Sequence, residues 1–491
     1  MTVADDRHER RVVEAVPRSL LIDGRWQPAE TAAELPVEDP STAATLCTVP
    51  DAGPRDALAA LDAADAAQPG WAATPPRDRG EILRRAFEAV MAQQDDLALL
   101  MTLEMGKPVP ESRAEIAYAA DFLRWFSEEA VRVAGDWRHA PDGSGRILVM
   151  RQPVGPAVLI TPWNFPMAMG TRKIGPALAA GCTMIVKPAH QTPLSMLALG
   201  QILQRAGLPP GVLNIITTSH PGEVVEPLLR DGRTRKVSFT GSTAVGRALI
   251  ETSAQQVLRT SMELGGNAPL VVCADADVEQ AVAGALVAKL RNTGEACTAA
   301  NRFLVHRSVV GEFTERLSGE LGRVKVARGT EPGAQVGPLI DARALEKVED
   351  LVRDAVSAGA RVALEGGRTH DGPGYFYAPA VLADVPVTAR LLREEIFGPV
   401  APVVPFDSDE EALELANATE YGLVSYVFTR DLNRALRYAE GLQTGMVGLN
   451  KGMVSTPAAP FGGVKHSGIG REGGREGIEE YLETKYVALA V

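Results

Sequence analysis

Cys297 is the side chain in this sequence best placed to act as a nucleophile. It lies in the polar, glycine-bearing stretch NTGEACTAANRF, where a buried structural cysteine is not expected. A thiol becomes reactive at neutral pH when positive charge, amide donors or a general base favour its thiolate. The other cysteines, Cys47, Cys182 and Cys273, are interpreted as core residues, because a free thiol usually behaves as a small apolar group.

Two further side chains could serve the same chemistry. Glu263, in SMELGG, is the candidate general base, because a carboxylate between an apolar residue and two glycines can be desolvated. Asn164, in TPWNFP, lies between prolines and aromatic residues that fix its loop, so its amide could donate to a developing oxyanion. Each residue also has a plainer interpretation. Glu263 can be a solvated glutamate at a strand end, and Asn164 can form an Asx turn.

These residues must be positioned by a fold of the α/β class. Residues 55–135 show helical periodicity, and after the break at PDGSGRI short β-branched runs alternate with helices, as in PAVLI, TMIVKP, GVLNII and KVSFT. This alternation predicts βαβ units around a parallel sheet. A second series that starts at APLVVC predicts a second α/β lobe. The chain ends in an exposed strand, which often pairs with another subunit.

Two glycine patterns and one lysine are candidate nucleotide-binding features. FTGSTAVGR leads from a strand into a helix, so the amides of Gly241 and Ser242 would face an anion, although an ordinary turn explains them equally well. GIGREG matches GxGxxG, but no apolar strand precedes it, so we reject it as a dinucleotide fingerprint. Lys187 ends the strand TMIV, where open α/β sheets bind ligands, although such lysines are usually solvated.

Composition excludes several classes of function. A chain of 491 residues predicts two or three lobes, and 45% apolar with 23% charged residues is typical of soluble globular proteins. The net charge of -12 argues against binding nucleic acid or an anionic membrane. No apolar stretch predicts a membrane span, and the cysteine spacing predicts neither disulfides nor a metal site. The N-terminus resembles neither a signal nor a transit peptide, so we expect a cytoplasmic protein.

Seven motifs occur in the order and approximate spacing of the NAD(P)-dependent aldehyde dehydrogenase superfamily, which the chain resembles over nearly its whole length. They are TPWNFP, TMIVKPA, FTGSTAVG, ELGGNAP, GEACTAANR, EEIFGP and PFGGVKHSG. The resemblance implies the aldehyde dehydrogenase fold, with a variant Rossmann cofactor domain, a second α/β catalytic domain and a β-strand oligomerisation arm. These would occupy residues 18–138 with 158–263, residues 264–476, and residues 139–157 with 477–491, after a flexible tail at 1–17. A homodimer or homotetramer is implied.

The resemblance also implies a mechanism. Cys297 would attack the aldehyde carbon, and the Asn164 amide and the Cys297 backbone N–H would hold the oxyanion. Hydride leaves to the nicotinamide, and Glu263 activates the water that hydrolyses the thioester. Lys173 matches a family lysine near the active-site loop. The implied cofactor-binding residues are Thr161, Pro162, Trp163, Asn164, Lys187, Ala189, His190, Gly241, Ser242, Leu264, Glu395 and Phe397.

Within the superfamily, the sequence is most similar to the succinate-semialdehyde dehydrogenases. In those enzymes two arginines and a serine hold the distal carboxylate of the substrate, and the matching residues here are Arg172, Arg291 and Ser455. Arginine suits a planar carboxylate because its fork donates two parallel hydrogen bonds. We therefore expect oxidation of succinate semialdehyde to succinate. The alternatives are another short aldehyde such as glutarate semialdehyde, and a non-catalytic protein on the same fold.

Three positions depart from the family pattern. Glu295 replaces the usual glutamine two residues before the nucleophile, and its charge either opposes thiolate formation or faces away. Ala299 replaces a second cysteine, which excludes a disulfide switch of that kind. His190 stands where NAD-preferring relatives often carry a glutamate for the 2′-hydroxyl, so a 2′-phosphate is not repelled. We expect NADP to be accepted and preferred over NAD.

Overall fold

The computed structural model describes residues 3–369 and 372–490, and the side chains of residues 7–369 and 372–490. The α-helices in this part of the chain are α1 Val3–Glu14, α2 Pro54–Ala73, α3 Pro76–Ala92, α4 Gln94–Met105, α5 Val109–Glu129, α6 Ala168–Ala180, α7 Leu194–Arg205, α8 Pro221–Arg230, α9 Thr243–Ala254, α10 Val278–Leu290, α11 Val310–Leu321, α12 Ala342–Ser357, α13 Asp409–Asn417, α14 Leu432–Gly441 and α15 Glu476–Glu479. Short 3₁₀ turns occupy Arg291–Gly294, Arg390–Leu392 and Lys465–Ser467.

Among the described residues, the strands form three larger sheets and two two-stranded pairs. They are β1 Leu20–Ile22, β2 Arg25–Gln27, β3 Glu34–Asp39, β4 Ala44–Pro50, β5 Asp136–His139, β6 Arg146–Pro153, β7 Ala157–Ile160, β8 Met184–Lys187, β9 Leu213–Ile215, β10 Lys236–Thr240, β11 Arg259–Glu263, β12 Ala268–Val272, β13 Ala300–His306, β14 Arg361–Leu364, β15 Gly367–Arg368, β16 Tyr377–Ala378, β17 Ala380–Ala383, β18 Val400–Phe406, β19 Val424–Phe428, β20 Met446–Leu449, β21 Gly468–Ile469 and β22 Leu482–Leu489.

The first large sheet has the order β2-β1-β9-β8-β7-β10-β11-β21. Its five central strands are parallel, and the antiparallel strands β1, β2 and β21 form its two ends. The strands β7 to β10 coincide with the four β-branched runs of the sequence, which confirms the predicted βαβ units. Their residues are buried on both faces, as parallel strands covered by helices require.

The second large sheet has the order β14-β17-β18-β13-β12-β19-β20, and its strands are parallel apart from β14. The predicted second α/β lobe is therefore present, and Cys297 lies just before its strand β13. The third sheet, β22-β6-β5, is antiparallel. Trp137 on β5 and Tyr486 on β22 are 58% and 61% exposed. The division into domains proposed from the sequence remains a prediction.

The described part of residues 1–17 forms helix α1, where the sequence analysis expects a flexible tail. Val12 and Val13 of this helix are buried in the core, and the helix packs on α4. Glu9 forms an ion pair with Arg328 at 2.9 Å, and Arg328 also pairs with Asp39 at 3.0 Å. The burial of these valines offsets the conformational entropy lost when the segment becomes ordered.

The described helices give no indication of a membrane-spanning segment, since none is long and apolar enough to cross a lipid bilayer. In the same part of the chain, no group of three or more His, Cys, Asp or Glu side chains is arranged to hold a metal ion.

Candidate active site

The predicted site residues meet at the carboxyl ends of the parallel strands in the first sheet. Two adjoining cavities open there, of about 270 Å³ and about 540 Å³, and they share Pro162, Trp163, Thr240 and Gly241 as lining residues. We call the smaller one the Cys297 cavity and the larger one the Lys187 cavity. Ligands commonly bind at this edge of an open α/β sheet.

Cys297 is partly exposed to its cavity. Burial raises the pKa of its thiol well above the ordinary value, and the carboxylate of Glu263 raises it further, while Arg172 lowers it. The surroundings therefore favour the protonated thiol, and a base must remove its proton before attack.

Glu263 ends strand β11 and lines the same cavity. Burial, followed by the charge of Glu472, raises the pKa of its carboxyl group to about 8, against the opposing charges of Arg172 and Lys173. Its Oε1 atom has no hydrogen-bond partner among the described residues. A carboxylate with this pKa and a free oxygen can accept a proton near neutral pH.

Asn164 presents its carboxamide to the Cys297 cavity from the loop after β7. Its Oδ1 accepts a hydrogen bond from the Phe165 N–H at 3.1 Å, and its Nδ2 donates to the carbonyl of Glu295 at 3.0 Å. These two bonds fix the plane of the amide. The second Nδ2 hydrogen can therefore be directed at an oxyanion in the cavity.

Glu295 faces away from the nucleophile. Its side chain is fully buried, and its Oε1 accepts the backbone N–H of Ile340 at 3.0 Å. Burial raises the pKa of this carboxyl group well above its usual range. Of the two alternatives left open by the sequence, the hydrogen bond to Ile340 favours the second, in which the side chain faces away from the thiol.

All the residues that the family resemblance assigns to the cofactor line one or both of these cavities. The Lys187 cavity has Thr161, Lys187, Ala189 and His190, the Cys297 cavity has Asn164, Ser242, Leu264, Glu395 and Phe397, and both have Pro162, Trp163 and Gly241.

The start of helix α9 offers a cradle for a phosphate group. Ser242 caps the helix, with its hydroxyl accepting the Val245 N–H at 3.4 Å. A Cβ at Gly241 would lie 2.4 Å from the ring of Phe239, so this turn excludes a side chain. Gly241 and Ser242 place the start of α9 beside both cavities, and helix N termini commonly bind anions. The residues present fit a dinucleotide cofactor.

Lys187 and His190 supply the basic side chains of the larger cavity. Burial lowers the pKa of Lys187 to about 8, and the residue is only 6% exposed. His190 is exposed, and partial desolvation together with the nearby charge of Lys187 lowers its pKa. Both groups can donate hydrogen bonds to ribose or phosphate oxygens.

Glu395 and Phe397 form the far wall of the Cys297 cavity. The Oε1 of Glu395 accepts the Gly266 N–H at 3.1 Å, and burial raises the pKa of this carboxyl group to about 7. Phe397 has left-handed backbone, with φ of 55°, and its ring packs edge-on against Trp163 with centroids 5.4 Å apart. The two aromatic rings flank the space in front of the thiol.

A third cavity, of about 170 Å³, holds Arg291 and Ser455. The Nη1 of Arg291 donates to the Ser455 hydroxyl at 3.2 Å, and the guanidinium lies 4.7 Å from the ring centroid of Phe165 and 5.8 Å from that of Tyr118. Phe165 also lines the Cys297 cavity, so the two spaces adjoin at this residue. We call this third space the Arg291 cavity.

Arg172 and Lys173 do not line any of these three cavities. Arg172 lies 3.8 Å from the ring centroid of Phe461, and its Nε is 3.4 Å from the carboxylate of Glu472. Lys173 donates to the same carboxylate at 2.5 Å and to the Ser238 hydroxyl at 3.0 Å. Arg172 and Lys173 are held outside the cavities by Glu472, because buried charges need a counter-ion. The structure thus separates Arg172 from the other two predicted carboxylate-binding residues.

The sequence analysis did not identify the polar residues that support the catalytic loops. Lys107, Glu111 and Glu115 contact the Asn164 loop or the segment before Cys297. Glu111 and Glu115 lie one turn apart on the same face of α5. This i, i+4 spacing of two carboxylates beside apolar residues is the sequence signal that could have identified them.

The fold and these cavities are those of a dehydrogenase of the α/β class. The model of the aldehyde dehydrogenase family matches residues 26–487, so the chain belongs to that family. Its members use NAD(P) and a small-molecule aldehyde.

Three relatives are informative. A succinate-semialdehyde dehydrogenase of Paenarthrobacter nicotinovorans is 58% identical over 91% of this chain and 99% of its own. A glutarate-semialdehyde dehydrogenase of Pseudomonas putida is 49% identical over 96% of this chain and 97% of its own. The crystal structure of an NADP-dependent enzyme from Escherichia coli superposes with a TM-score of 0.95 at 46% identity, over 97% of this chain and 98% of that chain.

Proposed function

We propose that this protein oxidises succinate semialdehyde to succinate, with NADP preferred over NAD. The observation that carries the proposal is the Arg291 cavity, which adjoins the Cys297 cavity at Phe165, a lining residue of both. An aldehyde group at Cys297 and a carboxylate at Arg291 can belong to one short molecule. The relative that is 58% identical carries the corresponding name.

The chemistry begins with the protonated thiol of Cys297. Glu263 lines the same cavity, has a free oxygen and accepts the proton. The thiolate adds to the aldehyde carbon, and the Asn164 amide with the Cys297 N–H stabilises the oxyanion. The nicotinamide cofactor, when bound, supplies the hydride acceptor. Collapse of the oxyanion as hydride leaves gives a thioester on Cys297.

Hydrolysis of the thioester requires a second proton transfer. Glu263 first releases to solvent the proton that it took from Cys297, and the ionised carboxylate then removes a proton from water as the hydroxide adds to the thioester carbon. The oxyanion site is used again, and the Cys297 thiolate departs as succinate forms. A base with a pKa of about 8 suits both steps, because it is partly ionised near neutral pH and remains basic enough to accept the proton.

Arg291 supplies the specificity in this proposal. It is fixed by Ser455 and by the two aromatic rings, so it loses little conformational freedom on binding a carboxylate. The sequence resemblance includes Arg172 in the clamp. With its ion pair to Glu472 intact, Arg172 contributes to the clamp only through the Tyr118 hydroxyl, which lies 3.5 Å from its Nη2.

The preference for NADP rests on His190. This residue lies with Lys187 in the larger cavity, and both can donate to a 2′-phosphate. The structurally similar Escherichia coli enzyme is described as NADP-dependent, which supports the same preference. Glu226 also lines this cavity and is the acidic side chain that the bound phosphate must avoid.

Glutarate semialdehyde is the second candidate substrate. The Pseudomonas putida relative named for that activity matches nearly the whole chain at 49% identity. The two substrates differ by one methylene, which typically changes discrimination by about 1–3 kcal/mol. We rank succinate semialdehyde first because the more similar relative carries that name.

Assembly and location complete the proposal. The exposed Trp137 and Tyr486 lie on the outer strands of the third sheet, which suits a homodimer or homotetramer formed through this arm. We propose a cytoplasmic enzyme, because the composition is typical of soluble proteins and the cysteine spacing predicts a reduced protein.

The Arg291→Met variant tests the substrate assignment. Loss of a charge-assisted hydrogen bond, typically about 1.5–3 kcal/mol, should raise KM for succinate semialdehyde about 10- to 150-fold. Butanal, an uncharged aldehyde of equal length, serves as the control and should react as in the parent protein. The KM of Arg291→Lys for succinate semialdehyde should lie between those of the parent protein and Arg291→Met, because lysine keeps the charge but lacks the planar guanidinium. An unchanged KM for succinate semialdehyde in Arg291→Met would refute the assignment.

A further inference from the structure

Asn292 lies at the centre of the contacts between the two loops that form the oxyanion site. It is fully buried, and its Nδ2 donates to the carbonyl of Asn164 at 3.1 Å and to the carbonyl of Glu295 at 2.9 Å. The Asn164 side chain donates to that same Glu295 carbonyl at 3.0 Å. One carboxamide therefore joins the oxyanion loop to the segment that leads into Cys297.

The backbone at Asn292 has an uncommon conformation. Asn292 and Thr293 both have left-handed conformation, with φ of 56° and 58°, and Gly294 follows with φ of 82°. Asparagine is one of the few side-chain-bearing residues that adopts this conformation readily. The N–H of Asn292 donates to the Glu111 carboxylate at 2.6 Å, which anchors the turn to helix α5.

A second support reaches the oxyanion loop from Lys107, just before helix α5, and from Glu115 on that helix. Lys107 donates to the Asn164 carbonyl at 2.7 Å and to Glu115 at 2.5 Å. The other oxygen of Glu115 accepts the N–H groups of Met167 and Ala168, where α6 begins, each at 3.2 Å. The Asn164 carbonyl thus receives two donors, one from Lys107 and one from Asn292.

We propose that Asn292 is a positioning residue, which sets the Asn164 amide at the correct distance from Cys297 by cross-linking their two loops. The inference rests on the proposed function of Asn164 as an oxyanion donor. Asn292 itself touches no reacting atom. Its Oδ1 has no partner among the described residues, so the side chain is held by its donor end alone.

The Asn292→Gly variant separates the contribution of the Asn292 side chain from that of its backbone conformation. Glycine adopts the left-handed conformation without strain, so the turn is preserved while both cross-linking hydrogen bonds are lost. We expect kcat to fall about 10- to 100-fold with succinate semialdehyde and by the same factor with butanal, because small misplacement of a catalytic group is costly. KM for the aldehyde and the dissociation constant of NADP, measured by fluorescence quenching, should stay within about twofold of the parent values.

Asp23→Gly is the matched control. Asp23 is also left-handed, with φ of 50°, and it is exposed in the hairpin between β1 and β2, outside the three cavities. This variant removes a short polar side chain at the same type of backbone position and should leave kcat unchanged.

A double-mutant cycle with Asn164→Ala provides the decisive readout. Asn164→Ala alone should lower kcat about 10²- to 10³-fold, as the loss of an oxyanion donor does. If Asn292 acts through Asn164, adding Asn292→Gly to that variant should cost less than threefold more. Multiplicative losses would overturn the proposal, as would a loss confined to succinate semialdehyde or an unchanged kcat in Asn292→Gly. No effect of Asn164→Ala would instead refute the proposed role of Asn164.

Discussion

Glu263 and Cys297 line one cavity, and burial raises the pKa of both side chains. The carboxylate of Glu263 also raises the pKa of the thiol, because two neighbouring anions repel each other. Transfer of a proton from Cys297 to Glu263 removes that repulsion at the moment the nucleophile forms. The pair therefore couples activation of the thiol to neutralisation of the base.

This coupling predicts how activity depends on pH. Glu263 acts in its ionised form, and with a pKa of about 8 that form increases as pH rises from 6 to 9. We expect kcat for succinate semialdehyde to rise about tenfold per pH unit below 8 and to level off above it, since the ionised fraction follows this dependence. Steady-state rates in buffers of constant ionic strength provide the measurement.

Glu263→Gln is the control for that profile. Glutamine keeps the size of the side chain but cannot accept the proton, so the remaining activity should be low and should lose the inflection near pH 8. A variant that kept the inflection would assign it to another group, such as Glu395, whose pKa is raised to about 7.

Replacement of His190 by glutamate should reverse the cofactor preference. The new carboxylate would repel the 2′-phosphate of NADP, and like charges brought together at an interface cost several kcal/mol. We expect KM for NADP to rise at least about tenfold and KM for NAD to stay the same or fall. Initial rates with each cofactor test this. An unchanged ratio of kcat/KM for NADP to kcat/KM for NAD would show that His190 does not contact the 2′-phosphate.

Glu472→Gln should lower stability strongly. Burial acts to raise the pKa of Glu472, but Lys173 and Arg172 outweigh it and hold the carboxylate ionised. Removal of this counter-ion leaves two buried cations unpaired, and breaking such a pair typically costs about 3–5 kcal/mol. Urea unfolding followed by circular dichroism measures the effect. Asp407→Asn, which breaks the exposed pair with Arg307, should change stability little.

The exposed aromatic residues of the third sheet predict an interface. Trp137→Glu combined with Tyr486→Glu places charge on the outer strands without removing a buried side chain. We expect the mass in solution, measured by light scattering after gel filtration, to fall to that of a smaller assembly. Val257→Glu, at a position 89% exposed elsewhere, should keep the parent mass. A parent protein that is already monomeric would contradict the proposed arm.

Local sequence patterns predict most of the fold and the cofactor site. Strands β7, β8, β9 and β10 were recognised from β-branched runs, because parallel strands buried on both faces read as continuous apolar segments. Thr161, Lys187 and Gly241 lie at the ends of β7, β8 and β10, so their convergence is a consequence of the topology, whereas Glu395 and Phe397 precede β18 of the second sheet. Helix α1 was not recognised, because its stability comes from contacts such as Glu9 with Arg328, distant in sequence.

The placement of Arg172 could not be predicted from its motif. Its motif matches a substrate clamp, but the carboxylate that pairs with it and with Lys173 is Glu472, almost 300 positions further along the chain. Asn292 escaped notice for a related reason, since its role depends on left-handed backbone and on carbonyl groups that have no signature in the sequence.

The comparison of succinate semialdehyde with butanal tests the central claim most directly. Both have four carbons, and they differ in the carboxylate that Arg291 would bind. Steady-state reduction of NADP at pH 8 should give a kcat/KM at least about tenfold higher for succinate semialdehyde, the ratio expected from one charge-assisted hydrogen bond. Equal or higher kcat/KM for butanal would leave the Cys297 chemistry intact and contradict the assignment of a carboxylate-bearing substrate.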